Sequence, residues 1–296
     1  MMKAAKSSSR ILFEIGNYIF LILFTFLCIY PFYYIFIYSI SIPQQASQGG
    51  LYFLPKGFTL LGYQQILSQN NIWHGAMVSV TRTVLGTVIA VFCTAMFSYV
   101  LTHKLLRFRK AIYRLLIMTM YVNAGIIPYY VTMKAYGLKD SLLLYILPGA
   151  ISAFNLVLVK TYIEQIPASL EESASIDGAG PFRIFVRIIF PLCKPILATI
   201  AIFTAVGQWN TWFDNFLLAD KPYLETLQYL LLKYISAQSA NMASQATNWT
   251  ALSEVKITPI SVQMTVTMIV TFPVLIVYPM FQKYFIKGIM IGAVKG

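Results

Sequence analysis

The chain is predicted to be all-α, a polytopic membrane protein with six transmembrane helices and both termini in the cytosol. Three observations predict it. Apolar residues make up 58% of the 296 residues and charged residues 11%, against about 25% charge in a soluble domain. Six uncharged runs each reach the roughly 20 residues that cross about 30 Å of hydrocarbon at 1.5 Å per residue. Lysine and arginine also gather on alternate connecting segments, as the positive-inside rule requires of cytosolic loops.

The six runs lie near 12–41, 72–101, 111–133, 141–162, 192–218 and 261–285. The first is too long for a secretory h-region and lacks a small-residue cleavage site, so it is expected to be a retained helix. Residues 1–11 then form a cytosolic N-terminus, and 12–296 a single transmembrane domain. Pro31, Pro128, Pro148, Pro273 and Pro279 fall inside runs, which predicts kinks that neighbouring helices can satisfy. Ten-residue alternating strands with turn signals are missing, which argues against a β-barrel.

With both termini inside, fifteen of the twenty-two basic residues are cytosolic, among them Arg107, Arg109, Lys110, Arg114, Arg183, Arg187 and Lys194. Six are external (Lys56, Lys134, Lys139, Lys221, Lys233 and Lys256), and Arg82 is left near an outer membrane edge, where it can snorkel. Acidic residues divide evenly. The net charge of +12 is therefore topological and gives no reason to expect a nucleic-acid partner.

Chemistry is sparse. Cys28, Cys93 and Cys193 lie in or beside separate runs and read as small hydrophobes. His74 and His103 sit at opposite faces, and no metal site is expected. The Asn248-Trp-Thr triplet is formally a glycosylation sequon, but chance produces many such triplets. There is no Gly-rich loop ending in Lys-Ser/Thr, no GxSxG and no HExxH, so no catalytic residues are assigned. Neither a midplane relay of ionisable groups nor a pair of halves with broken helices is evident, and an ion-coupled carrier normally shows one or the other. Energy for uphill transport would have to enter from another subunit.

One polar segment interrupts this pattern on the cytosolic side, over 167–191. Pro167-Ala-Ser169-Leu-Glu-Glu172 contains Ser-x-x-Glu, which predicts a capping box between Ser169 and Glu172. A short helix then runs to about Ile176. Gly178 suits a left-handed C-terminal turn and Pro181 the first turn of a second helix. That second helix should turn Phe182, Phe185, Ile188 and Ile189 to one side and Arg183 and Arg187 to the other, and break at Pro191 and Pro195.

The fifth run ends in Gln208-Trp209-Asn210-Thr-Trp212-Phe-Asp214-Asn215. Aromatic faces beside amides and a carboxylate suit a sugar, whose C–H faces stack while its hydroxyls hydrogen-bond. The same residues suit an interfacial aromatic belt with polar helix–helix contacts, and both readings stay open. Asn123, Asn155 and Gln263 are polar points within runs with the same ambiguity. The external segment 219–256 is rich in Gln, Ser, Asn and Thr.

The string Glu172-Ser173-Ala174-x-x-Asp177-Gly178-Ala179, with Phe185, Ile188 and Pro191, resembles the EAA signature of binding-protein-dependent ABC importer permeases. Ser173 stands for an alanine of the consensus and Phe190 for the leucine before Pro191. Asn123-Ala-Gly-Ile-Ile-Pro128, Leu147-Pro-Gly-Ala-Ile-Ser-Ala-Phe154-Asn155, Pro191-Leu-Cys-Lys-Pro195 and Gly207-Gln-Trp-Asn-Thr-Trp-Phe-Asp214 are similar to the maltose-type sugar permeases. Within these, the branch typified by the lipoprotein-cluster permeases of Gram-positive bacteria is the most similar. The resemblance covers about residues 10 to 296.

The resemblance implies the type I importer transmembrane fold in a bacterial cell membrane, in contact with lipid. It implies one half of a heterodimeric pore with a second homologous permease, two ABC ATPases and an extracellular solute-binding protein, carrying an oligosaccharide. No cofactor is expected on this chain, because ATP and Mg belong to the partner ATPase. Glu172, Ser173, Ala174, Asp177, Gly178 and Ala179 would contact that ATPase. The external segment would face the binding protein or form a lid. Two alternatives stand beside this reading: the same machinery for a non-sugar solute such as a peptide, and an ion-coupled carrier or channel working alone.

Overall fold

The computed structural model describes residues 8–50, 53–103, 106–245 and 258–293. Its named elements are all helical, and an isolated bridge between Ser41 and Phe58 is the extent of extended pairing among the described residues. The chain divides into two compact units, residues 1–69 with 234–271, and residues 70–233 with 272–296.

The first unit is built on α1 (Ser8–Ser39), α2 (Pro43–Ser47), α3 (Leu61–Leu67) and the start of α14 (Pro259–Ala293). The chain buries none of the apolar window of α1, as befits a helix solvated by hydrocarbon. Its C-terminal end is different. Ile37, Tyr38 and Ala46 form a small core with Tyr34, Ile260 and Met264. Ser39 hydrogen-bonds the Tyr63 hydroxyl at 2.8 Å, and a Cβ on Gly62 would lie 2.8 Å from Thr265 Oγ1, so α3 and α14 meet backbone to side chain.

The second unit centres on α4 (Asn70–Thr102), which packs mainly on α11 (Lys194–Asn210) and α7 (Ala153–Ile163). Its buried face carries Gly86, Ala90, Thr94, Ala95 and Ser98. Small residues let helices approach closely where lipid offers no hydrophobic drive. Ser98 Oγ donates to the Leu156 carbonyl at 3.2 Å across the α4–α7 contact.

Among the described residues, three helices are long and apolar enough to cross a membrane, starting at Arg10, Asn70 and Pro259, or four if one bent pair counts as a span. Three of the expected runs are broken, 192–218 among them. Over 111–133, α5 (Arg109–Thr119) ends before a turn in which Asn123 Oδ1 accepts from Gly125 N–H at 2.9 Å. Gly125 takes φ +85°, and α6 (Ile126–Ala135) starts anew, with Pro128 in its first turn rather than at a kink. Over 141–162, Ser141 caps a 3-10 turn at Leu142–Tyr145. Pro148 and Gly149 lie outside any helix, and Ser152 caps α7. Apolar composition predicted these runs. Local capping and glycine chemistry divided them.

The expected break at Pro191 and Pro195 falls between the two prolines. Helix α8 (Ala168–Ile176) is followed by α9 (Pro181–Ile184), a π segment (Phe185–Ile189) and α10 (Phe190–Leu192) in one continuous rod. That rod bends by 80° at Cys193 into α11. Pro195 sits in the first turn of α11, where the missing N–H costs nothing, and Pro191 lies next to the last residue of the rod. After α11 the chain breaks at Thr211 and Trp212 and resumes as α12 (Phe213–Leu218).

Beyond α12, Asp140 N–H donates to the Leu218 carbonyl at 3.0 Å, Asp140 Oδ1 accepts from Asp220 N–H at 2.7 Å, and Lys139 pairs with Asp220 at 2.8 Å. The hydrogen bond to Asp220, then its charge, holds the Lys139 ammonium above its usual pKa. The segment expected as an external loop over 219–256 instead carries a 3-10 turn (Pro222–Leu224) and α13 (Leu227–Gln245). Its residues 246–256, Asn248 included, lie outside the described residues, as do residues 1–7 and 294–296.

Candidate translocation and coupling sites

Arg82 does not snorkel. Its side chain is 3% exposed and its guanidinium is engaged on three sides. Nη1 and Nη2 donate to Asp214 Oδ1 and Oδ2 at 3.0 and 2.6 Å. Nε donates to Gln208 Oε1 at 2.8 Å, and Nη1 also to the Thr211 carbonyl at 3.1 Å. The plane lies over the Tyr145 ring, 4.6 Å from its centroid. Asp214 Oδ1 accepts a further bond from Asn215 N–H at 2.9 Å. A buried arginine is tolerated when a bidentate partner and extra hydrogen bonds replace water. Here the break between α11 and α12 supplies them, since it frees the Thr211 carbonyl and turns Asp214 back toward α4.

The pair borders a cleft of about 530 Å³. Tyr129, Pro148, Gly149, Ser152, Asn155, Phe203, Thr204, Gly207, Gln208 and Thr211 line it with Arg82, Asp214, Leu144 and Tyr145. Gln208 is held between two glycines. A Cβ on Gly86 would lie 2.8 Å from its Nε2, and one on Gly149 would lie 3.1 Å away. Those glycines leave the space in which the amide presents Oε1 to Arg82. Asn155, 9% exposed, donates from Nδ2 to Thr204 Oγ1 at 3.3 Å.

Of the residues picked for a substrate pathway, the structure brings Asn155, Gln208 and Asp214 together here. Asn123 lines a separate recess of about 390 Å³ next to the α5–α6 break, with Tyr129 common to both linings. Trp209, Asn210 and Trp212 line neither. Asn210 Nδ2 donates to the Val206 carbonyl of its own helix, and the Trp212 ring packs edge-on with Phe213 and Phe216. Gln263 lies in the other unit, on α14, its carbonyl accepting from Thr267. Tyr145, Ser152, Thr204 and Gly86 were not foreseen, and Arg82 was singled out only as a charge that could snorkel or bind substrate. The usable signal was Arg82 itself, because a cation inside an apolar helix requires a partner.

The segment over 167–191 forms its two helices but not its predicted cap. Pro167 is the N-cap of α8 and no side chain caps that helix, so Ser169 and Glu172 make no capping box. The helix begins two residues earlier than the box requires, which puts Ser169 inside the first turn. The C-terminal turn is as expected. Gly178 has φ +78°, Ala179 N–H donates to the Ala174 carbonyl at 2.9 Å, and Gly178 N–H to the Ser175 carbonyl at 3.1 Å. These two bonds make a Schellman motif.

No residue of α8 is buried, and Ile176 is 86% exposed. Ala174 and Ala179 pack against a cluster that includes Tyr99, Ile163, Phe185, Ile189, Cys193 and Ile196. The expected apolar face of the second helix is shifted: Ile184, Phe185 and Ile189 are buried and Phe182 is 66% exposed. The π segment accounts for the shift, since its wider turn changes the residue spacing along the buried side. Among the described residues no three metal-ligating side chains cluster, and the three cysteines are free, Cys28 exposed and Cys193 buried.

Residues 83–291 match the model of the binding-protein-dependent transport system inner membrane component. The chain belongs to this family. It is therefore a membrane permease, a channel subunit rather than an enzyme, in the cell membrane, and such permeases work with an ATPase and a solute-binding protein. It is 35% identical to the polygalacturonan/rhamnogalacturonan transport system permease protein YtcP of Bacillus subtilis (strain 168), covering 96% of this permease and 99% of that protein. It is 36% identical to protein LplC of the same organism, over 96% and 95% of the two chains. A chain in the crystal structure of a bacterial ABC transporter involved in the import of the acidic polysaccharide alginate superposes with a TM-score of 0.84. The two are 32% identical, and the match covers 96% of this permease and all of that chain.

Proposed function

We propose that this permease forms one half of an oligosaccharide importer whose pore is completed by a second, homologous permease, with two ATPase subunits on its cytosolic face. In this reading the chain crosses the membrane six times with both termini inside. The broken helices at 109–135 and 142–163 serve as irregular spans whose freed backbone groups face protein or a water-filled path. Glu172, Ser173, Ala174, Asp177, Gly178 and Ala179 contact the ATPase. ATP and Mg are held by that partner.

The observation that carries the coupling role is α8 itself: a helix closed by the Gly178 turn, with no buried residue and an apolar tip, joined through Ala174 and Ala179 to the cluster that begins α11. Closure of the ATPase would move α8 as a rigid piece, and the rod from Pro181 to Leu192 would pass that motion to α11. Gln208 lies fifteen residues past Cys193 on the same helix, about 22 Å along its axis. Motion at the cytosolic end of α11 thus reaches the wall of the Arg82–Asp214 cleft without any further joint.

Oligosaccharide cargo is supported by the names of the relatives and by the cleft, which mixes the Tyr129 and Phe203 rings with Asn155, Thr204 and Gln208. The test is uptake into proteoliposomes holding both permeases, the ATPases and the binding protein. Oligosaccharide should enter only with ATP, and omission of the ATPase should abolish uptake. Equal uptake without the ATPase would favour a carrier acting alone, and ATP-driven uptake of peptides but no saccharide would move the permease to another cargo.

A further inference from the structure

The cleft carries two charged side chains in its lining, Arg82 and Asp214, and each neutralises the other. Four of the five guanidinium N–H groups are already directed, two to the Asp214 carboxylate, one to Gln208 and one to the Thr211 carbonyl. The remaining polar side chains of the wall, Ser152, Asn155, Thr204, Gln208, Thr211 and the two tyrosines, carry hydroxyls and amides. The geometry points to a subsite for an uncharged sugar ring, one that presents hydroxyls alone and discriminates against a uronate. This rests on the oligosaccharide reading above and adds the charge class of the ring that lodges in this subunit.

A carboxylate entering the cleft has two options. It can lie beside the intact pair, which makes the site net negative with no cation left to compensate. Alternatively it can displace Asp214 from Arg82, which strands a carboxylate that is 8% exposed. Either way two carboxylates share one guanidinium in a partly desolvated site, and a buried anion without its own cation is strongly disfavoured. A neutral ring meets neither penalty. Its hydroxyls can exchange bonds with Asn155 and Thr204, and its C–H face can lie on Phe203 or Tyr129. The volume of about 530 Å³ lies within the roughly 300–1,000 Å³ of small-molecule sites.

Gly207 provides the reporter, because it lines the cleft and a Cβ there meets nothing within 4 Å. Gly207→Cys is introduced with Cys28, Cys93 and Cys193 replaced by alanine, and the complex with its partner permease and ATPases is placed in nanodiscs. Thr204→Cys is made as a second reporter in case the first fails to assemble. The measured quantity is the rate of alkylation by an uncharged maleimide. The probes are trigalacturonate and the galactotriose obtained by reducing its carboxyl groups, which differ only at C6, a carboxylate in one and a neutral hydroxymethyl in the other.

The reduced trisaccharide should half-protect the thiol at a concentration at least about tenfold lower than trigalacturonate. In Asp214→Asn, where Arg82 is released from its counter-ion, the order should reverse. Equal or better protection of the unsubstituted cleft by trigalacturonate would overturn the inference, as would an order unchanged by Asp214→Asn. Protection by neither, while the complete transporter still takes up these saccharides, would overturn it and leave the oligosaccharide function standing. Loss of all saccharide uptake would instead remove the function on which it rests.

Discussion

The Arg82 guanidinium grips the Asp214 carboxylate through both Nη atoms, at 3.0 and 2.6 Å, across 132 positions of sequence. This ties α4 to the start of α12 and fixes one wall of the cleft. Removing one partner leaves a buried charge uncompensated, at a cost of about 3–5 kcal/mol. Asp214→Ala should therefore lower the thermal stability of the assembled complex markedly. Arg82→Met combined with Asp214→Leu should restore most of it, and losses that simply add in the double variant would contradict the pairing.

Gly86 makes a second, sharper claim. A methyl group there must share space with Gln208 Nε2 and Cδ, at 2.8 and 2.9 Å, and overpacking of this kind costs about 1–3 kcal/mol. Gly86→Ala should destabilise the permease and slow uptake. Truncating the obstacle with Gln208→Ala in the same chain should recover the stability but not the uptake. If the double variant is no more stable than Gly86→Ala alone, the close contact is not the cause.

Much of this was legible in the sequence, and the failures have physical reasons. Helical class, the Gly178 turn and Pro181 at a helix start follow from composition and from local backbone chemistry, which act over a few residues. Asn155, Gln208 and Asp214 were picked by residue type alone, and the structure gathers them at one cleft. Trp209, Asn210 and Trp212 were picked the same way and do not line it, because helix phase decides which residues of a polar stretch face inward. That Arg82 needs a partner was legible, but not which one, since nothing local marks Asp214, 132 residues away. Runs 111–133 and 141–162 looked continuous because hydropathy does not see that Gly125, Pro148 and Gly149 reset the backbone.

Ser169 gives a prediction of no effect. As an N-cap it would contribute about 1 kcal/mol, but Pro167 holds that position and no side-chain cap is made. Ser169→Ala should change the protection of α8 amides in hydrogen exchange by no more than about 0.5 kcal/mol. A loss of the full cap value would show that the capping box forms after all.

The exposed tip of α8 should matter in the complex and not in the chain by itself. Ile176 is 86% exposed, so Ile176→Asp should leave the stability of the isolated subunit within about 0.5 kcal/mol. Co-purification of the ATPase should fall sharply. Full retention of the ATPase would place the docking surface elsewhere.

The central claim is that the rigid turn closing α8 transmits ATPase motion to α11. Gly178 holds φ +78° with open space around its Cα, so a β-branched residue is opposed by the backbone alone, at about 1–2 kcal/mol or more. The direct measurement is the number of oligosaccharides imported per ATP hydrolysed in proteoliposomes carrying Gly178→Val or Gly178→Asn. The valine variant should assemble and hydrolyse ATP while that ratio collapses, and asparagine, which tolerates the left-handed region, should keep most of it. A wild-type ratio in an assembled Gly178→Val transporter would contradict the account.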